Sequence, residues 1–251
     1  GTSAPRSRCD GRATVALMGS RSHLQAMRAL PTPVTRWATL LAMVALATSC
    51  AGGIGVGDRS VAVFTSRCGT TPATSGVGVV VDEGVVLTAA HVVIGAGSVT
   101  VSMTGDVVGS LPADIVHLDV RRDLALLRVP EIRARPVDLA TASSGDDLTV
   151  ALPDATLGRV TVTRPVIINI EDVRADTRSR RAGYELRGEL VRGDSGAGLF
   201  DEQGNLVAMF FSRSVTRDVI YAIGDTEIAR VLSAPRALYS CDLEESRVVI
   251  R

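Results

Sequence analysis

Aromatic residues make up only 3% of the 251-residue chain. Any core must therefore be filled by Val, Ile, Leu and Ala. Hydrophobic residues reach 46%, which supplies the material for a packed core and excludes a globally disordered chain. Neither sign of charge prevails. Lys and Arg together number 27, as do Asp and Glu, so there is no basic field of the kind that holds nucleic acid or another polyanion. The three histidines and four cysteines nowhere cluster at metal-ligand spacing. Neither a metal nor a cofactor is expected. Long apolar runs are missing too: the run Ala38–Ala47 falls well short of the ~20 residues that span a bilayer.

That run has a different meaning. Arg28 and Arg36 precede it, and Thr48-Ser49-Cys50-Ala51-Gly52-Gly53 follows. A basic stretch, a short apolar stretch and a small-residue zone together read as an export signal. Residues before Met27 are polar, Arg-rich and without periodicity, so Met18 or Met27 is a candidate start. Ala47-Thr48-Ser49-Cys50 resembles a bacterial lipobox, although Leu46 lies one place too early. Cys50 is accordingly the candidate lipidation site, with plain cleavage near Ala51 as the alternative. The expected product is exported and either lipid-anchored to the cell membrane or secreted. Residues 1–49 are read as leader and signal peptide, and 50–60, rich in glycine, as a flexible tether. Cys68 and Cys241 lie beyond the signal, where disulfides persist. Compartment alone favours a Cys68–Cys241 bridge over two free buried thiols.

From Ser60 onward, short apolar runs recur, each closed by Gly, Asp, Asn or Pro. The first half has Val61–Phe64, Gly76–Val81, Val85–Thr88, Ser98–Ser102 and Asp123–Val129. Later come Leu148–Leu152, Arg159–Thr163, Val166–Ile170, Ala197–Phe200, Leu206–Phe211 and Val219–Ile223. Many residues are β-branched and several runs alternate with period two, which predicts an all-β barrel or sandwich. A helix is expected near the end: Asp225-Thr226 offers a cap, Ile228, Val231 and Leu232 share one face, and Pro235 closes it. The mixed-charge stretch Asp172–Arg181 reads as a solvated hairpin loop.

Three local patterns carry chemistry. Val85-Val-Leu-Thr-Ala-Ala-His91 runs a strand into small residues and then an imidazole, which places His91 at a strand end. Arg121-Arg-Asp123-Leu-Ala-Leu-Leu puts a carboxylate at the boundary of an apolar strand. Arg192-Gly193-Asp194-Ser195-Gly196 is a glycine-flanked turn in which backbone N–H groups can converge beside a hydroxyl. Each is weak alone. In this order, with sequence separations of thirty-two from His91 to Asp123 and seventy-two from Asp123 to Ser195, they resemble the trypsin-like (chymotrypsin-fold) serine peptidases. The short gaps resemble the compact bacterial branch, HtrA-like and mycobacterial surface peptidases. No PDZ-like segment is expected after Leu232.

The resemblance covers roughly Val61–Leu232 and implies two antiparallel six-stranded β-barrels with the active site between them, then a short C-terminal helix. The barrels are assigned to 61–138 and to 139–234 with the helix, leaving 235–251 as a tail. It further implies His91, Asp123 and Ser195 as catalytic triad, Gly193 and Ser195 as oxyanion hole, and a protein or peptide substrate cleaved through an acyl-enzyme. The alternatives are a catalytically inactive binding module of the same fold or an envelope lipoprotein. Two departures stand out. Ala197 and Gly198 replace the usual Gly-Pro after the nucleophile motif, and no activation sequence precedes the first strand, so no new amino terminus is expected to pair with Asp194. Within the chain, Asp119 competes with Asp123, but its context fits less well, and His117 with Asp119 reads as an exposed pair on one strand face. Glu189 is either a pocket-base residue favouring a basic side chain or an ordinary loop glutamate. Phe210–Ser214 is expected to form the strand beside the substrate backbone.

Overall fold

A computed structural model describes residues 55–241 apart from 67, 70, 71, 104–108, 153–155, 176, 215 and 240. The leader, the signal segment, Cys50 and the last ten residues lie outside the described residues.

The alternating runs fold into two barrels. The first holds β1 (Ser60–Thr65), β2 (Ser75–Asp82), β3 (Val85–Thr88), β4 (Val99–Ser102), β5 (Leu111–Asp119) and β6 (Leu124–Arg128). The second holds β7 (Asp147–Ala151), β8 (Leu157–Glu171), β9 (Arg178–Gly188), β10 (Gly198–Phe200), β11 (Leu206–Ser214) and β12 (Val219–Gly224). All pairings between these strands are antiparallel. Spatial order is β1-β2-β3-β6-β5-β4 in one barrel and β7-β8-β9-β12-β11-β10 in the other, and both close. The same order, offset by six strands, is thus used twice. Closure leaves no free sheet edge.

With so few aromatics, the interiors are aliphatic. Val61, Val63, Leu87, Val101, Leu124 and Leu126 fill the first barrel. Leu148, Val150, Val160, Leu186, Leu199 and Ala208 fill the second. Phe200, Met209 and Ile223 of the second barrel cluster with residues of the first, so the apolar contact runs on between barrels. Ser60 Oγ adds a polar link, donating to Ala151 O at 3.0 Å.

Two strands escape a reading by hydrophobic pattern. β5 carries Pro112, Asp114, His117 and Asp119, and β9 begins Arg178-Ser-Arg-Arg. Their ladders, not their side chains, make them strands. β8 joins two expected runs into one strand of 15 residues, bulged between Val162 and Arg164. Pro165 is tolerated because β7 pairs with β8 only over Leu157–Thr161, so at Pro165 that side of β8 carries no ladder.

Both ends differ from expectation. The end of the expected tether, Val56–Arg59, is a 3-10 turn. Arg59 is buried there and donates to Val80 O at 3.0 Å and to Arg135 O at 3.2 Å. The start of the expected tail packs against β5. A bulge between Ile115 and His117 breaks register with β6, and Ala237 N–H donates to Val116 O at 2.8 Å and Tyr239 N–H to Ile115 O at 2.9 Å. Cys241 then bonds Cys68 in a disulfide.

Of the helices, α1 (Ala90–Val93) is a single turn directly after β3, and α2 (Asp225–Leu232) follows β12. Ile228 and Val231 are buried as their spacing predicts. The N-cap is Gly224, not Asp225, and it offers no side-chain cap.

Candidate active site

His91 sits on α1, one turn past the end of β3, and not at the strand end itself. The small residues before it make this possible: Ala89 and Ala90 are fully buried, leaving the turn no bulk to accommodate. Its position is then fixed by the turn leading into the neighbouring strand β6. Asp123 closes the turn between β5 and β6 with φ +59°, a left-handed conformation that Asp tolerates better than most residues. One carboxylate oxygen accepts the His91 backbone N–H at 2.9 Å, and the other lies 2.8 Å from His91 Nδ1. Ala90 N–H also donates to Asp123 O at 3.2 Å. Strain of this kind persists only where surrounding contacts over-determine it, and here three contacts do.

Asp119 serves the same turn. Its carboxylate accepts the N–H of Arg121 at 3.0 Å and of Arg122 at 2.9 Å, and it pairs with the Arg122 guanidinium at 2.7 Å. It is therefore not an exposed partner of His117, whose ring nitrogen lies 3.2 Å from Pro235 O.

The turn that carries Ser195 docks on the first barrel. Ser195 O accepts Val77 N–H at 2.8 Å. Gly196 has φ +96°, and a Cβ there would stand 1.9 Å from Val77 O; no other residue fits. Gly193 has φ +103° at the third position of a turn closed by Asp194 N–H donating to Val191 O at 3.2 Å, which matches the glycine requirement of a type II turn. Asp194 accepts Val191 N–H at 2.9 Å, so its carboxylate is occupied within its own turn. The N–H groups of Asp194, Gly196 and Ala197 are bonded within the protein. Those of Gly193 and Ser195 have no acceptor among the described residues. Ala197 is fully buried in the second core, so its methyl group does not intrude on the cleft.

A cleft of about 820 Å³ joins these groups and draws its walls from both barrels: Ser75 and His91 from the first, Gly193, Ser195, Phe210 and Phe211 from the second. Asp123 lies behind His91, with its side chain 6% exposed against 35% for the imidazole. Phe210–Arg213 of β11 line the cleft, as expected of the strand beside it. Glu189 is exposed and outside the lining. Arg213 instead pairs with Asp218 at the cleft and donates to Leu190 O at 3.2 Å. No cluster of metal-binding side chains occurs among the described residues.

One residue of the site was not legible in the sequence. Arg181, at the end of the stretch read as a solvated loop, belongs to β9 and is only 2% exposed. Its Nη1 lies 3.9 Å from Asp123 Oδ2. Asp172 and Ser179 of the same stretch are buried as well. The one available signal was positional: Ser179 and Arg181 sit two apart and so face the same side of a strand. Burial pushes the Arg181 guanidinium below its ordinary range, while Asp123, Asp119, Asp172 and Glu227 draw it back up.

Comparison with known proteins agrees with this geometry. Residues 74–209, more than half of the chain, match the trypsin-like peptidase domain. The chain is 32% identical over 168 residues to the serine proteases Rv3671c and MT3772 of two Mycobacterium tuberculosis strains, covering 63% of this chain and 39% of either relative. It thus spans about two-fifths of the length of the curated relatives it matches. Among solved structures, the active form of the M. tuberculosis Rv3671c protease superposes with a TM-score of 0.66 at 22% identity, over 90% of this chain and 99% of that one. The HtrA-type protease AlgW, in a serine-to-alanine form with a tripeptide, gives a TM-score of 0.58 at 18% identity, over 70% of this chain and 59% of that one; these two likenesses concern the fold. With a matching domain over most of two closed barrels and a cleft between them, the chain belongs to the family of trypsin-like serine peptidases.

Proposed function

We propose that this protein is an exported serine endopeptidase that hydrolyses peptide bonds through a triad of Ser195, His91 and Asp123. The observation that carries the reading is the convergence, at one cleft, of a hydroxyl, an imidazole held by a buried carboxylate, and two unbonded N–H groups. A serine hydroxyl is a weak nucleophile until a base takes its proton, and imidazole titrates in the right range. Asp123 against Nδ1 holds the proton there, which leaves Nε2 free to accept the proton of Ser195. The hydroxyl oxygen then attacks the scissile carbonyl, and the developing oxyanion is received by the N–H groups of Gly193 and Ser195. Loss of one such donor typically costs ~3 kcal/mol of barrier. His91 next gives its proton to the leaving amine, an acyl-enzyme remains on Ser195, and water repeats the sequence to release the acid. Ser195 Oγ has no hydrogen-bond partner among the described residues; such contacts commonly tighten only when substrate arrives.

A fluorophosphonate probe tests this directly, because it reacts only with an activated serine. The full chain should be labelled at Ser195, and Ser195→Ala should not be labelled at all. A folded wild-type protein that ignores the probe would support the inactive binding module instead.

Location is a separate part of the proposal. The export signal and Cys50 support a lipid-anchored enzyme held at the cell membrane and acting on proteins or peptides outside the cytoplasm. One acyl chain holds only marginally, while two give lasting attachment. On cell fractionation the full chain should follow the membranes, and Cys50→Ala should leave them or persist uncleaved. A wild-type chain found wholly soluble with a lipid-free amino terminus would establish plain cleavage, and the peptidase assignment would stand.

A further inference from the structure

A fully charged guanidinium in a protein interior is expensive, and an apolar residue would fill the same volume at less cost. Arg181 nevertheless occupies the space where the second barrel meets the turn that carries Asp123. Its Nε donates to Arg121 O at 2.8 Å and lies 3.3 Å from Ser179 Oγ, its Nη1 faces Asp123, and its Cζ lies 5.4 Å from the centre of the Phe211 ring. Ser179 Oγ donates to the same Arg121 carbonyl at 2.6 Å. Two side chains of β9 thus grip the backbone two residues before Asp123.

The charges around this point are unequal. From the β5–β6 turn come Asp119, Arg122 and Asp123; from the end of β8 comes Asp172; from α2 come Glu227 and Arg230; and His91 faces Asp123 from α1. Arg122 is spent on Asp119 and Glu227, and Arg230 on Glu227. Arg181 Nη1 lies 3.9 Å from the Asp123 carboxylate that His91 also faces.

We infer that Arg181 is a positioning residue of the peptidase centre: it holds the Asp123 turn in place, and with it the carboxylate that orients His91. This rests on the triad reading above. Arg remains charged throughout the working range, so its contact with Asp123 is constant and not a switch.

The test compares kcat and KM for the full chain, Arg181→Gln, Arg181→Lys and Ser179→Ala on one peptide that the wild type cleaves, with the rate of fluorophosphonate labelling measured for each. A small misplacement of an orienting group costs up to about 100-fold in rate. Arg181→Gln should therefore lose about 10- to 100-fold in kcat and in labelling rate at a nearly unchanged KM, because neither Arg181 nor Asp123 lines the cleft. Arg181→Lys retains a cation toward Asp123 and should recover most of that loss. Ser179→Ala removes one of the two side chains on Arg121 O and should lower kcat in the same sense, which keeps the inference testable if Arg181→Gln fails to fold. A wild type inert to the probe overturns the triad reading and this inference together. A reactive wild type whose kcat and labelling rate are unchanged by Arg181→Gln, or lowered alike by Gln and Lys, overturns the inference alone. So does a wild-type kcat in Ser179→Ala.

Discussion

The Asp123→Asn protein should hydrolyse a peptide substrate with a kcat about 10⁴-fold below wild type, at a nearly unchanged KM. The expectation follows from how both oxygens are used. One accepts the His91 backbone N–H at 2.9 Å and the other faces His91 Nδ1 at 2.8 Å. Asparagine has a single amide oxygen, so one of the two contacts must change. If that oxygen keeps the backbone N–H, the amide NH₂ group faces Nδ1, which must then be the unprotonated nitrogen. The proton moves to Nε2, the nitrogen required to accept the proton of Ser195, and the base is lost although the fold is kept. KM holds because Asp123 lies behind the imidazole and does not line the cleft. Ser195→Ala and His91→Ala should be worse, each by roughly 10⁶-fold, and the double variant no worse than either single one, because the groups act as a unit. Steady-state kinetics on purified protein checks all of these. Substantial hydrolysis by Ser195→Ala would sink the assignment.

Loss of the Cys68–Cys241 bridge should be the largest effect on stability. It closes a span of 173 residues, and on the chain-entropy model a loop of that length contributes about 5 kcal/mol through the unfolded chain. For a domain of this size, each kcal/mol is worth about 2–4 °C, so Cys68→Ser with Cys241→Ser should lower Tm by about 10–20 °C. The native state adds a local reason. Cys241 secures the segment whose Ala237 and Tyr239 N–H groups satisfy the β5 bulge, and β5 leads directly into the Asp123 turn. Calorimetry of the double serine variant, together with the mass of the unreduced protein, measures both points. Two free thiols in that mass, or an unchanged Tm, would remove the bridge from the account.

Several strands were legible because they are short, nearly continuous apolar runs, buried almost throughout and bounded by turn residues. β2, β3, β6 and β11 announce themselves in this way. β5 and β9 do not, because charged residues interrupt their apolar positions and their membership depends on ladder bonds to the strands on either side. A resemblance in motif order supplied the expected architecture and the site residues together. Gly196 shows why such motifs persist in local sequence: its left-handed φ and the 1.9 Å approach of Val77 O admit no side chain.

By itself, then, the sequence determined the class of the fold, the places of His91, Asp123 and Ser195 along the chain, and the pair of cysteines available for a bridge, since each of these is written in neighbouring residues or in counts. Only the tertiary structure decided that His91 rides on a helical turn, that Asp119 builds the Asp123 turn, that Glu189 stands outside the cleft, and that a loop-like run of charges ends in a buried arginine behind the Asp123 carboxylate. Burial of a charge depends on what arrives from elsewhere in the chain to surround it. For Arg181 those groups are Arg121 O, Asp123 and Phe211, from 30 to 60 residues away, and no local pattern records their approach.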